Sequence, residues 1–554
     1  MAGYFLSALL LILVVVLEHG SSSVLNYTDR LDGDTYTTAN VSANVSKDIR
    51  KEAMDLWKIR RNRRRRICKR KVLKCLEHEP LENIKCPNKS EEKARFRTID
   101  GTCNNVDQPF FGAAGTPFRR VQPADYEDKV SAPRVAQSGD QLPNARNVSR
   151  FVHGSNSDRQ NPNSPKLTHL AMNWAQFLDH DLTLTRKKTV TCKTVPSNES
   201  ECFNVEVPAD DDVFQSRGVT FFELIRDAPH EFKVECAPGP REHTNNITAF
   251  IDASNVYGSN EMEAAHLRAP DGTMKIRTPH HGCPLRDLLP AQNDSEIPCA
   301  SKDPNRPCFV AGDERANENQ VKDFGNPTYL YDKCNGGVDS IFRGLVKSPA
   351  SKVDGLFSKS VQENLFRGPG DLSDLVSLNI QRGRERGLPS YTTYRNTFCK
   401  ITPIVNSFED LRKAGITQKD IDNLKSQYQS VHDVDLFVGG ILEPADSEGG
   451  ALGKTFQCLL ADQFKRLREG DRFWHENAPN RSLDTDKTAF TRCQLQEIRK
   501  VTLAKIICDN AEDIPSIPKR VLQQSKVFVD CNKLPKMNLD VFTPDFKCRQ
   551  RSRV

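Results

Sequence analysis

The chain has no histidine over a long internal interval. It contains 12 histidines, but none lies between His281 and His432. This gap excludes any function that needs an imidazole from that interval, either as a proton acceptor or as a metal ligand. The sequence also has no Arg-Gly-Asp motif, no internal repeat and no low-complexity tract. A repeat array is therefore excluded, and an integrin-binding function finds no support in the motifs.

Long apolar runs are absent beyond the N-terminus. Residues 4–17 form one apolar block, and small residues follow it at positions 20–23. The block is too short for a comfortable membrane span, and it predicts a signal peptide over residues 1–23, although no basic residue precedes it. We therefore expect a secreted, extracellular protein without a membrane span.

Two further features agree with an oxidising compartment outside the cytosol. The chain has 17 cysteines, and this odd number leaves at least one thiol without an intramolecular partner. It also contains several sequons for N-glycosylation, which agree with secretion but would arise partly by chance. The sequons are at Asn26, Asn40, Asn44, Asn88, Asn147, Asn198, Asn246, Asn293 and Asn480.

Positive charge is concentrated in one short region. The segment from Lys58 to Lys74 holds 11 of the 79 basic residues and no acid, and the rest of the chain has fewer cations than its 73 acidic residues. The net charge of +6 therefore does not indicate a nucleic-acid partner. The run from Arg60 to Arg66 is interpreted as a proprotein-convertase site in a flexible loop. A polyanion-binding patch and a solvated helix face are the alternatives.

The composition divides the chain into four parts. Residues 1–23 form the expected signal peptide, and residues 24–85 are polar and poor in large apolar side chains, as in a loosely folded pro-segment. The amino-acid composition changes at Cys86, so residues 86–548 are expected to form one large domain, with a short tail at 549–554.

Helical periodicity dominates that domain. Residues 167–182 and 484–510 carry apolar side chains at helical spacing, and residues 284–307 are rich in Pro and predict a loop. Alternation typical of strands is scarce. The pattern therefore predicts a mainly α fold.

Three polar residues on the first of these stretches could carry chemistry. Gln176, Asp179 and His180 have the spacing i, i+3 and i+4, which places their side chains on one side of a helix. A neutral imidazole at this place can accept and return a proton. The alternative is a buried helix whose polar residues form a network in the core.

The run from Trp174 to Asp181 resembles the distal haem helix of the animal haem peroxidases. The run from Phe96 to Asn105 resembles the opening signature of their domain, and the match continues in blocks almost to Cys548. The resemblance implies a single large helical domain stapled by disulfides, with haem b as cofactor. It also implies that hydrogen peroxide oxidises small donors such as halides, phenols or tyrosyl groups.

The resemblance assigns roles on the distal side. His180 is the expected distal base, Gln176 holds water or halide beside it, and Asp179 forms an ester with a haem methyl group. In the block Ala311 to Asn319, Arg315 resembles the distal arginine, whose cation stabilises negative charge as the peroxide bond breaks. Glu318 matches the second ester carboxylate. The alternative for Arg315 and Glu318 is an ordinary surface pair. Asn319 stands where myeloperoxidase has methionine, so no sulfonium link is expected.

A calcium site is implied beside the distal helix. Oxygen donors alternate in the segment from Thr248 to Ser254, and such a loop can wrap a hard cation. By resemblance the ligands come from Thr248, Phe250, Asp252 and Ser254, with Asp181 as a further ligand. Because Asp181 adjoins His180, bound calcium would hold the catalytic helix in place.

The fourth block, from Leu378 to Gly387, carries the expected partners of the proximal side. Asn379 resembles the asparagine that orients the iron-bound histidine, and Arg382 resembles the partner of a haem propionate. The family usually has Asp-His where Glu385 and Arg386 stand. The alternative is a helix that Gly387 ends and whose arginines are solvated.

The proximal histidine itself has no counterpart. In relatives a long helical stretch after the Arg315 block ends in an Arg-x-Gly-His motif whose histidine binds iron. Here Gln320 continues directly into Val321, and the segment from Val321 to Asp332 resembles the part of the family that lies beyond this histidine. The clean junction predicts that a block is absent. Haem iron needs an axial protein ligand, so we expect this chain to hold little haem b.

Disulfide pairs follow from the same resemblance. Cysteines without an assigned partner are Cys68, Cys75, Cys236, Cys283, Cys334, Cys493 and Cys548. The implied pairs are Cys86–Cys103, Cys192–Cys202, Cys299–Cys308, Cys399–Cys458 and Cys508–Cys531.

Two functions from different classes follow from these observations. The first is a secreted peroxidase that reduces hydrogen peroxide wherever its haem site is complete. The second is a catalytically impaired extracellular protein that keeps the calcium site and acts in adhesion or in the matrix.

Overall fold

Most of the regular secondary structure in the described protein consists of helices, which are joined by loops. The computed structural model describes residues 96–154, 163–186, 200–230, 239–268, 337–365, 372–445, 450–477 and 489–543, with Cys86, Val190, Cys192, Lys193, Phe546 and Cys548. The chain divides into two compact units, and every described residue except Gly239 belongs to the first. The second unit comprises Val15–Lys85 and Glu231–Gly239, and Gly239 is its only described residue.

The α-helices are numbered here in chain order. They are α1 Ala145–His153, α2 His169–Leu182, α3 Asp212–Gln215, α4 Ser254–Tyr257, α5 Glu261–His266, α6 Gly337–Lys347, α7 Lys359–Gln362, α8 Leu375–Glu385, α9 Gln418–Gln427, α10 Leu436–Leu442, α11 Lys454–Gly470, α12 Arg492–Ile498 and α13 Leu503–Asn510. A π-helix covers Thr393–Phe398, and 3-10 turns cover Glu409–Arg412, Val431–Asp433, Cys531–Lys533 and Leu539–Phe542.

Strands occur only as short antiparallel pairs in the described ranges. The strands are β1 Thr116–Pro117, β2 Asn163–Thr168, β3 Val205–Glu206, β4 Phe221–Phe222, β5 Thr244–Asn245, β6 Pro349–Ser351, β7 Ser516–Ile517 and β8 Val529–Asp530. The pairs are β1 with β5, β2 with β6, β3 with β4, and β7 with β8. The predicted mainly α fold is confirmed.

Helix α8 is the centre of the main core. Its N-cap Asp374 accepts a hydrogen bond from the Val376 amide at 2.9 Å, so the first turn is satisfied without solvent. Helix α1 packs on α8 and α9, and α10 packs on the other side of α8. The apolar side chains that fill this core include Val148, Val152, Val376, Leu378, Ile380, Ile421, Leu424, Phe437 and Val438.

Charged residues inside the core occur as satisfied pairs. Arg146 donates from Nε to Asp211 at 2.6 Å and from Nη1 to Asp374 at 2.8 Å. Arg384 pairs with Asp435 at 2.7 Å. Burying such charges is tolerated only when partners and hydrogen bonds compensate for the lost hydration, and these pairs meet that condition.

The helical character expected over residues 484–510 is confirmed in part. Residues 478–488 lie outside the described part, and the remainder forms two helices, α12 and α13, rather than one. Thr491 begins α12 with a capping box, and Thr502 begins α13 by accepting from the Lys505 amide at 3.1 Å. Each threonine caps the start of its own helix, and periodicity alone did not reveal these two separate starts.

Disulfides connect distant parts of the described chain. The implied pairs Cys86–Cys103, Cys192–Cys202, Cys399–Cys458 and Cys508–Cys531 are confirmed. Cys493 and Cys548, which had no assigned partner, form a fifth bond. The implied Cys299–Cys308 pair lies outside the described residues.

Candidate functional site

Helix α2 presents the predicted distal residues. Its start is tied to two other segments, because the Thr168 amide donates to the Leu522 carbonyl at 3.1 Å and the His169 amide donates to the Ser348 carbonyl at 2.8 Å. Along the helix, Asp179 is fully buried, while Gln176 and His180 are half-buried. The helix therefore reaches the site with a fixed orientation.

One carboxylate oxygen of Asp179 accepts no hydrogen bond from the described residues. Its Oδ1 accepts a weak hydrogen bond from the Thr183 hydroxyl at 3.4 Å, but its buried Oδ2 has no hydrogen-bond partner among the described residues. Burial raises the pKa of this carboxyl from 3.8 to about 7. An unsatisfied buried oxygen is costly, so this position suits a group that enters and bonds to it.

His180 is held ready for proton transfer. Burial lowers its pKa below the ordinary value of 6.5, so the imidazole is neutral at physiological pH. A neutral imidazole is the form that can accept a proton from an incoming acid. The structure thus gives His180 the protonation state that its predicted role requires.

A buried asparagine fixes the end of α2, and sequence reasoning did not identify it. The Asn245 amide donates from Nδ2 to the Leu182 carbonyl at 2.9 Å, and its Oδ1 accepts from the Leu184 amide at 2.8 Å. Asn245 lies in β5, next to a glycosylation sequon, and no motif in the sequence marked it. Its two bonds hold the last turn of α2, where Asp179, His180 and Asp181 lie.

We expect Asn245→Ala to lower the free energy of unfolding by about 1–3 kcal/mol, because it leaves the buried Leu182 carbonyl and the part-buried Leu184 amide without their side-chain partner. Denaturant unfolding of the purified protein measures this change. Asn406→Ala is the matched control, since Asn406 is exposed and its side chain has no partner in the described ranges. Equal midpoints for the two variants would show that Asn245 does not hold the helix end.

Helix α8 brings Asn379 and Arg382 into the interior. Asn379 is 3% exposed and its side chain has no hydrogen-bond partner within the described ranges. Arg382 is 8% exposed, and its Nε is also unpaired there. Burial, helped by the neighbouring Arg386 cation, lowers the pKa of Arg382 to about 10. Both side chains therefore have polar groups without a partner there, as expected if Asn379 meets an imidazole and Arg382 meets an anion.

The arginines at the end of α8 are not solvated, so that alternative is wrong. Arg386 donates from Nε to Asp227 at 2.9 Å and also contacts the Thr185 hydroxyl at 3.4 Å. Burial alone would raise the pKa of Asp227, but the Arg386 cation lowers it below its ordinary value. The same cation opposes the raised pKa of Asp179. Arg386 therefore connects the end of α8 electrostatically with the distal helix.

Glu385 is also buried and contacts the basic side chains of Arg226 and His243. Its Oε1 lies 3.4 Å from Arg226 Nε and 3.3 Å from His243 Nε2. The Tyr126 hydroxyl donates to the Glu385 carbonyl at 3.0 Å. Tyr126 also packs on Gly387, whose φ of +62° and lack of a Cβ allow the close approach that ends the helix. Glu385 thus has a packing role that the motif comparison did not foresee.

The predicted calcium loop lies against the C-terminal turn of α2. The Ala253 amide donates to Asp181 Oδ2 at 3.1 Å, and the Ser254 hydroxyl donates to the Asp181 carbonyl at 3.2 Å. Ala253 has a φ of +59°, a left-handed conformation that turns the chain into α4. These contacts bring Asp181 together with the 248–254 loop, as the resemblance implied.

Two carboxylates share this buried region. The Thr248 hydroxyl lies 2.8 Å from both oxygens of Asp252, and the Ser254 amide donates to Asp252 Oδ1 at 3.1 Å. Burial, together with the charge of Asp252, raises the pKa of Asp181 to about 6. A hard divalent cation relieves such repulsion and prefers oxygen ligands, so the donor set fits calcium.

Some predicted residues have no described position. Arg315, Glu318 and Asn319, the Gln320–Val321 junction and the run from Arg60 to Arg66 lie outside the described residues. In the part of the chain that the structure does describe, no group of three or more His, Cys, Asp or Glu is arranged to hold a metal ion. The calcium set is compatible with this result because it needs only two carboxylates.

Similarity to known proteins agrees with this arrangement. The chain is 29% identical to peroxidasin homolog pxn-2 of Caenorhabditis elegans over 621 aligned positions, with 83% of this chain and 45% of the relative covered. It is 27% identical to the peroxidasin homolog of Homo sapiens over 615 positions, with 83% and 40% covered. The chain therefore spans less than half the length of these relatives.

A solved peroxidase structure has a fold similar to that of this chain. Peroxidase A from Dictyostelium discoideum superposes with a TM-score of 0.56 at 21% identity, covering 77% of this chain and 99% of that one. At this identity the likeness concerns the fold alone.

The animal haem peroxidase family model matches residues 96–321 and 320–522, two segments that meet at the junction of Gln320 and Val321. Together the segments cover well over half of the chain. This protein belongs to the animal haem peroxidase family.

Proposed function

We propose that this protein derives from a secreted peroxidase whose complete form reduces hydrogen peroxide and oxidises small donors such as halides, phenols or tyrosyl groups. The observation that carries this proposal is the distal helix. It combines a neutral imidazole at His180 with a buried, unpaired carboxylate oxygen at Asp179. A satisfied core network would leave neither group free for a ligand.

The proposed roles follow from the chemistry of each side chain. His180 accepts a proton from one oxygen of hydrogen peroxide and returns it to the other, while Gln176 holds water or halide beside it. Asp179 and Glu318 would attach the haem, and Arg382 would pair with a propionate. Arg315 would stabilise the negative charge that develops as the peroxide bond breaks. Bound haem would supply the redox chemistry.

We infer further that this chain lacks the block that carries the iron ligand. No histidine occurs between His281 and His432, and the Asn379 side chain has no hydrogen-bond partner among the described residues. The two segments matched by the family meet at Gln320 and Val321. Alignments of 621 and 615 positions exceed the 554 residues of this chain, so these relatives carry residues without a counterpart here. All four facts support an internal deletion.

The chain as it stands, purified after secretion, should show little Soret absorbance and negligible guaiacol oxidation. Without an axial ligand the iron is not held, and ester links from Asp179 alone do not replace that ligand. Absorbance at the Soret band relative to 280 nm measures the haem content. A stoichiometric haem with a high-spin or six-coordinate spectrum would contradict the inference and would require an unforeseen ligand.

Export and processing are part of the proposal. We infer that residues 1–23 direct secretion and that cleavage near the run from Arg60 to Arg66 releases the pro-segment 24–85. No helix in the described ranges is both long and apolar enough to cross a membrane. Before cleavage, the same arginines could also bind a polyanion.

A second function is favoured by the calcium loop. Asp181, Thr248, Asp252 and Ser254 are brought together although the proposed iron ligand is missing. This arrangement supports a calcium-stabilised extracellular protein that acts in adhesion or in the matrix without catalysis. The transcript across the codons for Gln320 and Val321 distinguishes the two functions, since an added exon with Arg-x-Gly-His would restore the enzyme.

A further inference from the structure

A cavity of about 350 Å³ lies between helix α6 and the β7–β8 hairpin. This volume falls in the range of sites for small molecules, which are mostly apolar with a few polar groups at defined positions. No residue of the proposed haem or calcium site lines it. The cavity therefore requires its own explanation.

Apolar side chains form most of its wall. Val346 and Ile514 are buried, and Pro515 and Phe528 complete the apolar lining. Phe528 stays 39% exposed, so part of an aromatic ring faces water across the cavity. An apolar ligand body that covers this surface gains about 25 cal/mol for each Å² removed from water.

One edge of the cavity is positively charged. Arg343 and Lys347 are four residues apart on α6, so their side chains lie on the same face of the helix. Arg343 Nη1 donates to the Asp513 carbonyl at 2.6 Å and lies 3.2 Å from its carboxylate, which fixes the guanidinium. Lys347 has no carboxylate partner in the described part of the chain. Its charge is therefore available to a ligand.

The two walls are held together firmly. Asp339, in the first turn of α6, accepts hydrogen bonds from the amides of Glu512 and Asp513 at 2.8 and 2.6 Å. The Cys508–Cys531 disulfide ties the end of the hairpin to α13. A preformed cavity of this kind loses little conformational entropy when a ligand binds.

We propose that this cavity binds a monocarboxylate with an apolar body. The body lies against Val346, Ile514 and Phe528, and the carboxylate lies near Lys347, because Arg343 is already paired with Asp513. Charge selects the anion, since an alcohol or an ester of the same length lacks the partner for Lys347. This binding does not depend on haem or on calcium.

Isothermal titration of the full secreted chain with decanoate tests the proposal, with methyl decanoate as the uncharged probe. Decanoate should bind, and methyl decanoate should bind more weakly. Lys347→Met should weaken decanoate binding about fivefold, as for one partly exposed charge pair. Phe528→Ala should weaken it about tenfold through lost apolar contact.

Two matched controls separate the cavity from general surface effects. Lys352→Met removes an exposed lysine outside the cavity, and Val527→Ala removes the 70% exposed apolar residue next to Phe528. Both should bind decanoate like the parent, and thermal melting checks that all variants are folded. The proposal is overturned if decanoate does not bind, if its methyl ester binds equally well, or if folded Lys347→Met and Phe528→Ala variants keep the parent affinity.

Discussion

Insertion of the absent block from a close relative, with its Arg-x-Gly-His motif, between Gln320 and Val321 should give a protein that binds haem and oxidises guaiacol with peroxide. The residues described on α2 and α8 present unpaired groups at Asp179, Asn379 and Arg382 that fit a haem. What they lack is the axial ligand, and the graft supplies it. The Soret absorbance and the rate of guaiacol oxidation, compared with the parent chain, measure the result.

The control for this graft is the same insert with the motif histidine changed to alanine, which should abolish stoichiometric haem binding. In the active graft, Arg315→Gln should slow cleavage of the peroxide bond about 100-fold, as loss of one charge-stabilising donor does. His180→Ala should slow it by about 10²–10⁴, because general acid–base catalysis is lost. Haem content should survive both changes.

Two outcomes would contradict parts of this account. A graft that binds haem but stays inert would show that the distal side has decayed, and it would favour the calcium-stabilised, non-catalytic function. A graft that folds but binds no haem would show that the fit of Asp179, Asn379 and Arg382 to the cofactor is wrong.

Removal of calcium should destabilise this protein strongly, and Asp252→Ala should remove the response to calcium. The cation would neutralise Asp181 and Asp252, whose pKa values are raised by burial and, for Asp181, also by the charge of Asp252. A ligand that binds only the folded state at about a thousand times its Kd stabilises that state by about 4 kcal/mol. Thermal melting across a calcium series, and secretion yield, measure the effect.

Asp107→Ala is the matched control for this series, since Asp107 is exposed and its side chain has no partner in the described part. The control should keep the calcium dependence of the parent. A melting temperature that ignores both calcium and Asp252→Ala would show that the loop does not bind the cation, while leaving the haem graft experiment unaffected.

The distal helix could be predicted from local sequence. Apolar residues at helical spacing predicted a helix over 167–182, and the structure has His169–Leu182. The close approach of Asp181 to the loop from Thr248 to Ser254 was also expected, but only through the family resemblance. Nothing in the periodicity of either segment places them together, because residues 72 and 73 positions apart meet only in the folded chain.

The partners of charged and amide groups could not be predicted. The pairing of Arg386 with Asp227 joins residues that are 159 positions apart, and Asn245 reaches back to the end of α2 across more than 60 positions. The motif left solvated arginines at the end of α8 open as an alternative. Burial excludes it, and Arg384 and Arg386 pair with the carboxylates of Asp435 and Asp227.

The sequence by itself predicted the helical class from residue spacing, whereas the family and four of the five described disulfides followed from motifs that resemble the family. The sequence also showed the interval without histidine, and no folded arrangement can supply an imidazole from that interval. Only the tertiary structure decided which polar groups are buried without partners, how Asn245 holds the distal helix, and that α6 and the β7–β8 hairpin enclose a charged apolar cavity. Whether a side chain is buried or paired depends on its contacts with segments that are distant in sequence. Those contacts form only when the locally predicted helices pack together.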